Sequence, residues 1–218
     1  TQKSPVTDFT IGIDNIETML KKMKERPWPI YKIKVGTEGD VEMVAALRKE
    51  TDAIFRVDAN AGWTLEQAMH KIPLLKELGV EFVEQPLAKD NWEDMKTLFN
   101  HSPLPVIADE SCVKEEDVTK CAGHFHGINI KLTKCSGITP ARRMISKARE
   151  LEMKVMIGCM NESSVGTAAI AQLAPLLDYV DMDGPLLLSE DIAEGVSFDN
   201  GKIIYRGGAG LGLGVVRF

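Results

Sequence analysis

The fold is decided by residues 54–84, which read IFRVDANAGWTLEQAMHKIPLLKELGVEFVE. This stretch opens and closes with short apolar runs typical of buried strands, Ile54–Asp58 and Val80–Glu84. Between the two runs, apolar residues recur at helical spacing from Leu65 to Leu75, directly after a capping Thr64. The stretch therefore predicts one strand–helix–strand unit.

The same unit recurs along the chain with a period of about 25 residues. Repeated alternation of this kind favours a TIM-like (β/α)7β barrel of eight strands and seven helices. An open doubly wound sheet is the alternative, but it usually carries a glycine-rich phosphate turn after its first strand, which is missing here. The predicted strands are Phe9–Ile13, Ile30–Val35, Ile54–Asp58, Val80–Glu84, Val106–Ala108, Ile128–Leu132, Lys154–Ile157 and Tyr179–Met182.

Composition excludes several classes of protein. The 218 residues are 44% hydrophobic and 27% charged, as in an ordinary globular chain, and no apolar run is long enough to span a bilayer. A net charge of −6 argues against a nucleic acid or an anionic membrane as the main partner. The four cysteines form no CxxC pair and the N-terminus has no apolar leader, so we expect a cytoplasmic protein with free thiols.

Acidic residues stand at the ends of three successive predicted strands. In a barrel of this type the catalytic groups come from the carboxyl ends of the strands, and Asp58, Glu84 and Asp109 hold equivalent positions there. Three converging carboxylates repel one another unless a cation neutralises them, and an all-oxygen set suits Mg²⁺ or Mn²⁺. The alternative is that these are unrelated acids in solvated loops.

Lysines flank these acids on both sides. Alternation along the second strand places Lys32 and Lys34 on one face, and Lys131 ends the sixth strand. A nearby divalent cation lowers the pKa of a lysine toward the range of a general base, so two amines on opposite walls suit proton removal and delivery. The alternative is that the lysine stems extend to solvent. Lys134 is out of register with Lys131, and we expect it to face the helices.

A second acidic pair follows the last strand. Asp181 and Asp183 stand at alternate positions and should both point inward, where two close carboxylates need a cation between them. A substrate ammonium group is one candidate, and an ion pair with Arg206 is the other. The remaining polar residues at strand ends, which we treat as supporting groups, are Asn60, Glu110 and Asn129.

These motifs together resemble a known family. The Lys32-x-Lys34 pair, VDAN (57–60), VEQP (83–86), ADES (108–111) and NIKLTKCSG (129–137) resemble the muconate-lactonizing-enzyme subgroup of the enolase superfamily. The segment DMDGP (181–185) is similar to the dipeptide epimerase branch, of the Ala-Glu epimerase type.

The resemblance implies a metal-dependent isomerase that moves a proton at the α-carbon of a dipeptide's C-terminal residue through a Mg-stabilised enediolate. Lys32 would assist at the substrate carboxylate or tune its neighbour Lys34. The implied roles are Mg²⁺ (or Mn²⁺) ligation by Asp58, Glu84 and Asp109, acid/base catalysis by Lys34 and Lys131, and binding of the substrate's α-ammonium group by Asp181 and Asp183.

Members of this family carry an N-terminal capping domain, which we expect to be absent from this chain. Residues 1–195 would then form the barrel, and residues 196–218 a β-like, glycine-rich tail that packs on the capping domain. The expected partner is a small-molecule dipeptide, such as cell-wall peptide turnover releases, with no nucleic acid and no membrane; a homo-oligomer is left open. Alternatives are a cycloisomerase, an o-succinylbenzoate-synthase-like dehydratase, an N-acylamino acid racemase, a class I aldolase using Lys131, and an inactive fragment or binding scaffold.

Overall fold

The computed structural model describes residues 4–214. Eight parallel strands follow one another around the sheet in chain order. A parallel bridge between Thr7 and Val180, with a 2.8 Å hydrogen bond from the Met182 N–H to Thr7 Oγ1, joins the last strand to the first. The predicted barrel is confirmed. Its strands are β1 (Phe9–Ile11), β2 (Ile30–Lys34), β3 (Ile54–Asp58), β4 (Val80–Glu84), β5 (Val106–Ala108), β6 (Gly127–Ile130), β7 (Lys154–Gly158) and β8 (Tyr179–Asp181).

Helices connect the strands. Seven of those in the described part of the chain each lie between two successive strands, as the predicted alternation requires, and α6 is an additional single turn directly after β6. Two short 3₁₀ turns, Ala174–Leu176 and Gly184–Leu187, flank β8. The α-helices are α1 (Ile16–Glu25), α2 (Asp40–Arg48), α3 (Leu65–Glu77), α4 (Trp92–His101), α5 (Glu115–Cys121), α6 (Leu132–Cys135), α7 (Ile138–Glu150) and α8 (Ser164–Leu173).

Helix α3 shows how the local sequence specifies an element. Thr64 Oγ1 accepts the Gln67 N–H (3.2 Å) and Gln67 Oε1 accepts the Thr64 N–H (2.9 Å), so the capping box satisfies two N–H groups at the helix start. Ala68, Ile72 and Leu75 are fully buried on one face against the sheet. The helix therefore begins and packs as its sequence pattern predicts.

The barrel interior changes from apolar to charged along the strands. A small buried cluster of Phe82, Ile107 and Met156 packs with Tyr179, and the Arg56 guanidinium lies over the Tyr179 ring at 4.9 Å. Two residues further along three of these four strands the residue is acidic, as at Glu84 after Phe82 and Asp109 after Ile107. The functional groups are therefore concentrated at the carboxyl ends of the strands.

The tail contains an antiparallel hairpin, β9 (Ser197–Asp199) and β10 (Lys202–Ile204). Asn200 and Gly201 form its turn with φ of 48° and 77°, the left-handed values of a type I′ turn. Gly201 O accepts the Thr7 N–H at 2.9 Å, which fixes the hairpin at the amino-terminal end of β1. Residues 215–218 of the predicted tail lie outside the described residues, and its packing on a capping domain stays a prediction.

Within residues 4–214, no helix combines the length and the apolar character that crossing a bilayer requires.

Candidate active site

The carboxyl ends of the strands surround a cavity of about 530 Å³. Register in the sheet places Lys34 beside Asp58, and Asp58 beside Glu84, on three neighbouring strands. Asp58, Glu84 and Asn129 lie beneath the cavity and are fully buried. The other predicted site residues line it: Lys32, Lys34, Asn60, Asp109, Glu110, Lys131, Asp181 and Asp183.

Lys32 holds three of the acids at once. Its ammonium nitrogen lies 3.1 Å from Asp58 Oδ2, 2.8 Å from Glu84 Oε2 and 3.0 Å from Asp181 Oδ2. Burial lowers the pKa of Lys32, but Glu84, Asp181 and Asp58 outweigh burial and raise it well above its usual value. Lys32 is therefore a fixed positive charge in this arrangement and does not serve as a base.

Lys34 and Lys131 occupy opposite walls of the cavity. Lys34 Nζ donates to Asp58 Oδ2 (2.6 Å) and to Asn60 Oδ1 (3.0 Å). Lys131 Nζ donates to Asp109 Oδ2 at 2.7 Å. Burial lowers the pKa of Lys131, but Asp109 and Glu84 together outweigh burial and raise it, so in this arrangement the amine is held as an ammonium.

The prediction that Lys134 faces the helices is wrong. Its Nζ donates to Asp109 Oδ1 at 2.9 Å, and its side chain lines the cavity. The reason is the single turn of α6, which starts at Leu132 and changes the side-chain period from two residues to 3.6. Three residues after Lys131, the chain has returned to the same side.

The three acids of the predicted metal site have unequal environments. Burial raises the pKa of Asp58, but Lys32 and Lys34 outweigh burial and hold it at about 2. Burial and the neighbouring Asp58 raise the pKa of Glu84 to about 7. Asn129 Nδ2 donates to Glu84 Oε1 at 2.8 Å, while Glu84 Oε2 has no well-oriented donor. One carboxylate oxygen is therefore incompletely satisfied.

The donor set suits a hard divalent cation, because all three side chains are buried carboxylates and one oxygen of Glu84 has no hydrogen-bond donor. The structure does not gather their oxygens closely, however, since lysines hold them. Within residues 4–214, the group of three side chains whose ligand atoms lie within 4.8 Å of one another is Cys159, Asp181 and Asp183. Asp58, Glu84 and Asp109 therefore have the ligand chemistry that Mg²⁺ prefers. In this structure their oxygens are paired with lysines and do not converge on one point.

Asp181 and Asp183 lie at the end of β8, as alternation predicts. Asp183 Oδ2 accepts the Thr10 N–H at 2.7 Å, and its other oxygen lies 3.8 Å from Cys159 Sγ. Burial and the charge of Asp181 raise the pKa of Asp183 to about 6. The alternative partner, Arg206, pairs with Glu194 instead.

Two neighbours of this acidic pair were not predicted. Cys159 directly follows β7, so the strand-end rule that selects the other residues would also have found it. Thr10 contributes only its backbone N–H to Asp183, and no side-chain pattern signals a backbone contact. Among the supporting residues, Asn60 Nδ2 donates to Glu110 Oε1 at 3.2 Å and so joins two loops at the cavity rim.

Comparison with known proteins places these features in a family. A family model described as enolase C-terminal domain-like matches residues 15–217. The L-Ala-D/L-amino acid epimerase of Flavobacterium johnsoniae is 58% identical over 213 residues, which cover 98% of this chain and 63% of that protein. This chain therefore spans less than two thirds of that relative's length.

Two solved structures have the same fold. A substrate-liganded complex of the L-Ala-D/L-Glu epimerase from Bacillus subtilis aligns with a TM-score of 0.93 at 28% identity, covering 100% of this chain and 65% of that one. The dipeptide epimerase from Cytophaga hutchinsonii, complexed with Mg and the dipeptide D-Ala-L-Val, aligns with a TM-score of 0.92 at 30% identity, covering 99% and 62%. The resemblance seen in the sequence motifs is confirmed, and the chain belongs to the enolase C-terminal domain-like family.

Proposed function

We propose that this chain forms the catalytic barrel of a metal-dependent dipeptide epimerase, an isomerase that inverts the α-carbon of a dipeptide's C-terminal residue. The observation that carries the proposal is the placement of two lysine amines, Lys34 and Lys131, on opposite walls of one cavity. Lys34 ends β2 and Lys131 directly follows β6, and these strands lie halfway round the ring of eight strands from each other. A carbon held between them meets one amine on each face.

Proton transfer follows from this geometry. One lysine, as the free amine, removes the α-proton from its face, and the other, as an ammonium, delivers a proton to the opposite face. The configuration is inverted because the two protons use different faces. Lys34 contacts Asp58 and Lys131 contacts Asp109, so acids of the predicted metal site hold both amines at the cavity.

We propose Mg²⁺, with Mn²⁺ as a substitute, on Asp58, Glu84 and Asp109. When bound, the cation supplies a Lewis acid that stabilises negative charge on the substrate carboxylate. The buried all-carboxylate donor set and the Glu84 oxygen without a donor support this assignment, and so do the Mg-complexed dipeptide epimerase structures with the same fold. Lys32 then serves as a fixed charge beneath the site.

We propose that Asp181 and Asp183 bind the free amino terminus of the dipeptide. Both line the cavity beside the lysine pair, and both are almost fully buried, where a charge-assisted hydrogen bond is strong. A substrate with an acylated amino group has no positive charge to offer them. This contact therefore separates a dipeptide substrate from an N-acylamino acid.

The remaining proposals concern the source of the substrate, the cell compartment and the binding partners. We propose that the substrate is a dipeptide such as cell-wall peptide turnover releases, and that the protein acts in the cytoplasm without a nucleic-acid or membrane partner. Free cysteines at positions 112, 121, 135 and 159 support a reducing compartment, and the net charge of −6 disfavours polyanionic partners.

The test is α-proton exchange in D₂O, read by mass spectrometry, with L-Ala-L-Glu and Mg²⁺. We expect deuterium at the α-carbon of the C-terminal residue, and loss of exchange in excess EDTA. Asp109→Asn should lower the rate by at least about a hundredfold, whereas the matched change Asp117→Asn on α5 should leave it unchanged. Full exchange in EDTA would contradict the metal assignment, and equal exchange of the N-acetylated dipeptide would move the substrate class to N-acylamino acids.

A further inference from the structure

A buried acid outside the predicted site lies directly behind Asp181. Asp8 immediately precedes β1 and is fully buried. The bridge between Thr7 and Val180 sets the register of the seam, so Asp8 lies beside Asp181 across it. The two carboxyl groups are close enough that the charge of Asp181 acts on Asp8. They lie at the seam between the two strands that close the barrel.

Each of the two carboxylates has one oxygen bound to a cation and one oxygen without a conventional donor. Arg56 Nη1 donates to Asp8 Oδ2 at 2.9 Å, and Lys32 Nζ donates to Asp181 Oδ2 at 3.0 Å. Asp8 Oδ1 and Asp181 Oδ1 are both buried without a donor from another group. Two ionised carboxylates have no proton with which to satisfy either of these buried oxygens, whereas a single proton shared by the pair satisfies both.

The charged groups around Asp8 also indicate that the Asp8–Asp181 pair carries a proton. Arg56 on β3 is shared between Asp8 and Glu81 on β4, with its Nε 2.8 Å from Glu81 Oε2. Lys32 on β2 is shared among three acids that include Asp181 on β8. These are the charged groups that face Asp8, and the acids outnumber the bases. An ionised Asp8 would add an uncompensated buried charge.

The proton belongs on Asp8. Burial and the charge of Asp181 raise the pKa of Asp8 well above its usual value. Burial also raises the pKa of Asp181, but the charges of Lys32 and Lys34 and the hydrogen bond from Lys32 together outweigh burial and lower it. The two environments push the two pKa values apart, as in other pairs of carboxyl groups that share one proton.

We propose that Asp8 is a neutral carboxylic acid whose O–H donates to Asp181, so that it orients the Asp181 carboxylate and keeps it anionic toward the cavity. Asp8 is then a positioning residue that reaches the ligand only through Asp181. Its role in binding a substrate ammonium group rests on the proposed function, whereas its protonation state does not.

The first test is spectroscopic and uses the full 218-residue chain. The infrared difference spectrum between the native chain and Asp8→Asn, at neutral pH, should contain the carbonyl stretch of a protonated carboxylic acid. A difference spectrum that shows only the loss of carboxylate bands overturns the proposal. Neither outcome depends on whether the chain has epimerase activity.

The second test uses matched substitutions. An Asn amide replaces the Asp8 acid as donor to Asp181 and acceptor from Arg56, so Asp8→Asn should change the unfolding equilibrium constant less than about tenfold. Asp8→Leu removes both contacts and should raise the unfolding equilibrium constant at least about a hundredfold. Asp40 is the control, a fully buried anion that accepts from Lys71 and Trp63. Asp40→Asn should raise the unfolding equilibrium constant as much as Asp8→Leu does. If Asp8→Asn raised it by the same amount, Asp8 would be ionised.

The third test separates positioning from stability. Among variants that remain folded at the assay temperature, Asp8→Leu should raise KM for L-Ala-L-Glu about tenfold with a smaller effect on kcat, and Asp8→Asn should restore KM. A KM equal to that of the native chain in Asp8→Leu overturns the positioning role. If the infrared band is present and the chain exchanges no dipeptide, the proposed function fails while the state of Asp8 stands.

Discussion

At the scale of single residues, the two lysines on opposite walls make separable predictions. Lys34→Ala and Lys131→Ala should each lower epimerisation by about 10²–10⁴-fold, because each removes the acid/base group of one face. Each variant should still exchange the α-proton of the one diastereomer whose proton faces the surviving lysine. The measurement is deuterium incorporation into L-Ala-L-Glu and L-Ala-D-Glu separately. Loss of exchange with both diastereomers in one variant and with neither in the other would contradict a two-base mechanism.

Asp183 predicts a pH dependence of substrate binding. With its pKa raised to about 6, Asp183 is anionic above pH 6 and neutral below it, while a dipeptide amino group stays protonated up to about pH 8. KM for a free dipeptide should therefore rise as the pH falls through 6, with kcat less affected. Loss of this charge-assisted contact costs about 1.5–3 kcal/mol, roughly tenfold to a hundredfold in kcat/KM.

The control for this pH dependence is Asp183→Asn, which should have the higher KM at every pH and no inflection near 6. N-acetylation of the dipeptide should have the same effect, since it removes the ammonium group. An inflection of equal size in Asp183→Asn would assign the titration to another group.

At the scale of elements, the sequence predicts strands well and short helices poorly. The ends of β3, β4 and β5 were predicted to the residue, because each is an apolar run that stops at an acid. The single turn of α6 has too few residues for a detectable period, and the position of Lys134 depends on it. Contacts made by backbone groups, such as the Thr10 N–H, leave no trace in side-chain patterns.

The β9–β10 hairpin predicts a stability effect that does not involve the cavity. Gly201 has φ of 77°, and a Cβ there would lie 2.5 Å from Val6 Cγ1 and 2.9 Å from Thr7 O. Gly201→Ala should therefore lower the free energy of unfolding by about 1–3 kcal/mol in urea denaturation. At Gly207 no atom lies within 4 Å of the position that a Cβ would take. Gly207→Ala should therefore change the free energy of unfolding by less than about 0.5 kcal/mol.

Because the hairpin lies at the amino-terminal end of β1, Gly201→Ala should leave the Mg²⁺ affinity of the folded chain unchanged. A weakened affinity in this variant would show that the two ends of the barrel are coupled.

At the scale of the whole molecule, the residues that stabilise the barrel and the residues of the candidate active site occupy different levels along the barrel axis. Apolar packing around Phe82 and Met156 fills the lower interior, and the upper interior holds acids and lysines at high density. The sequence predicts which residues reach that upper layer, because alternation and strand ends determine it. It does not predict how the charges divide among partners, as when one ammonium, that of Lys32, is shared by three acids. Such sharing depends on side-chain packing across distant strands.

This concentration of charge predicts that folding stability is linked to both pH and a divalent cation. Glu84 has a pKa near 4.5 unfolded and about 7 in the fold, so the native state binds more protons between these values. Stability without added cation should therefore fall as the pH rises from 4.5 to 7. A cation that binds the ionised acid reverses this loss, by about 3 kcal/mol at a hundred times its Kd.

Thermal denaturation at several pH values, with and without Mg²⁺, measures this linkage. We expect Mg²⁺ to raise Tm by roughly 5–10 °C at pH 8, and by far less at pH 5, where the cation must displace a proton from Glu84. Glu84→Gln should abolish the Mg²⁺ effect and reduce the pH dependence to the part below about pH 6 that Asp183 contributes, whereas the exposed Glu66→Gln should retain both. A Mg²⁺ shift of the same size at pH 5 and pH 8, or one that persists in Glu84→Gln, would place the cation elsewhere on the molecule.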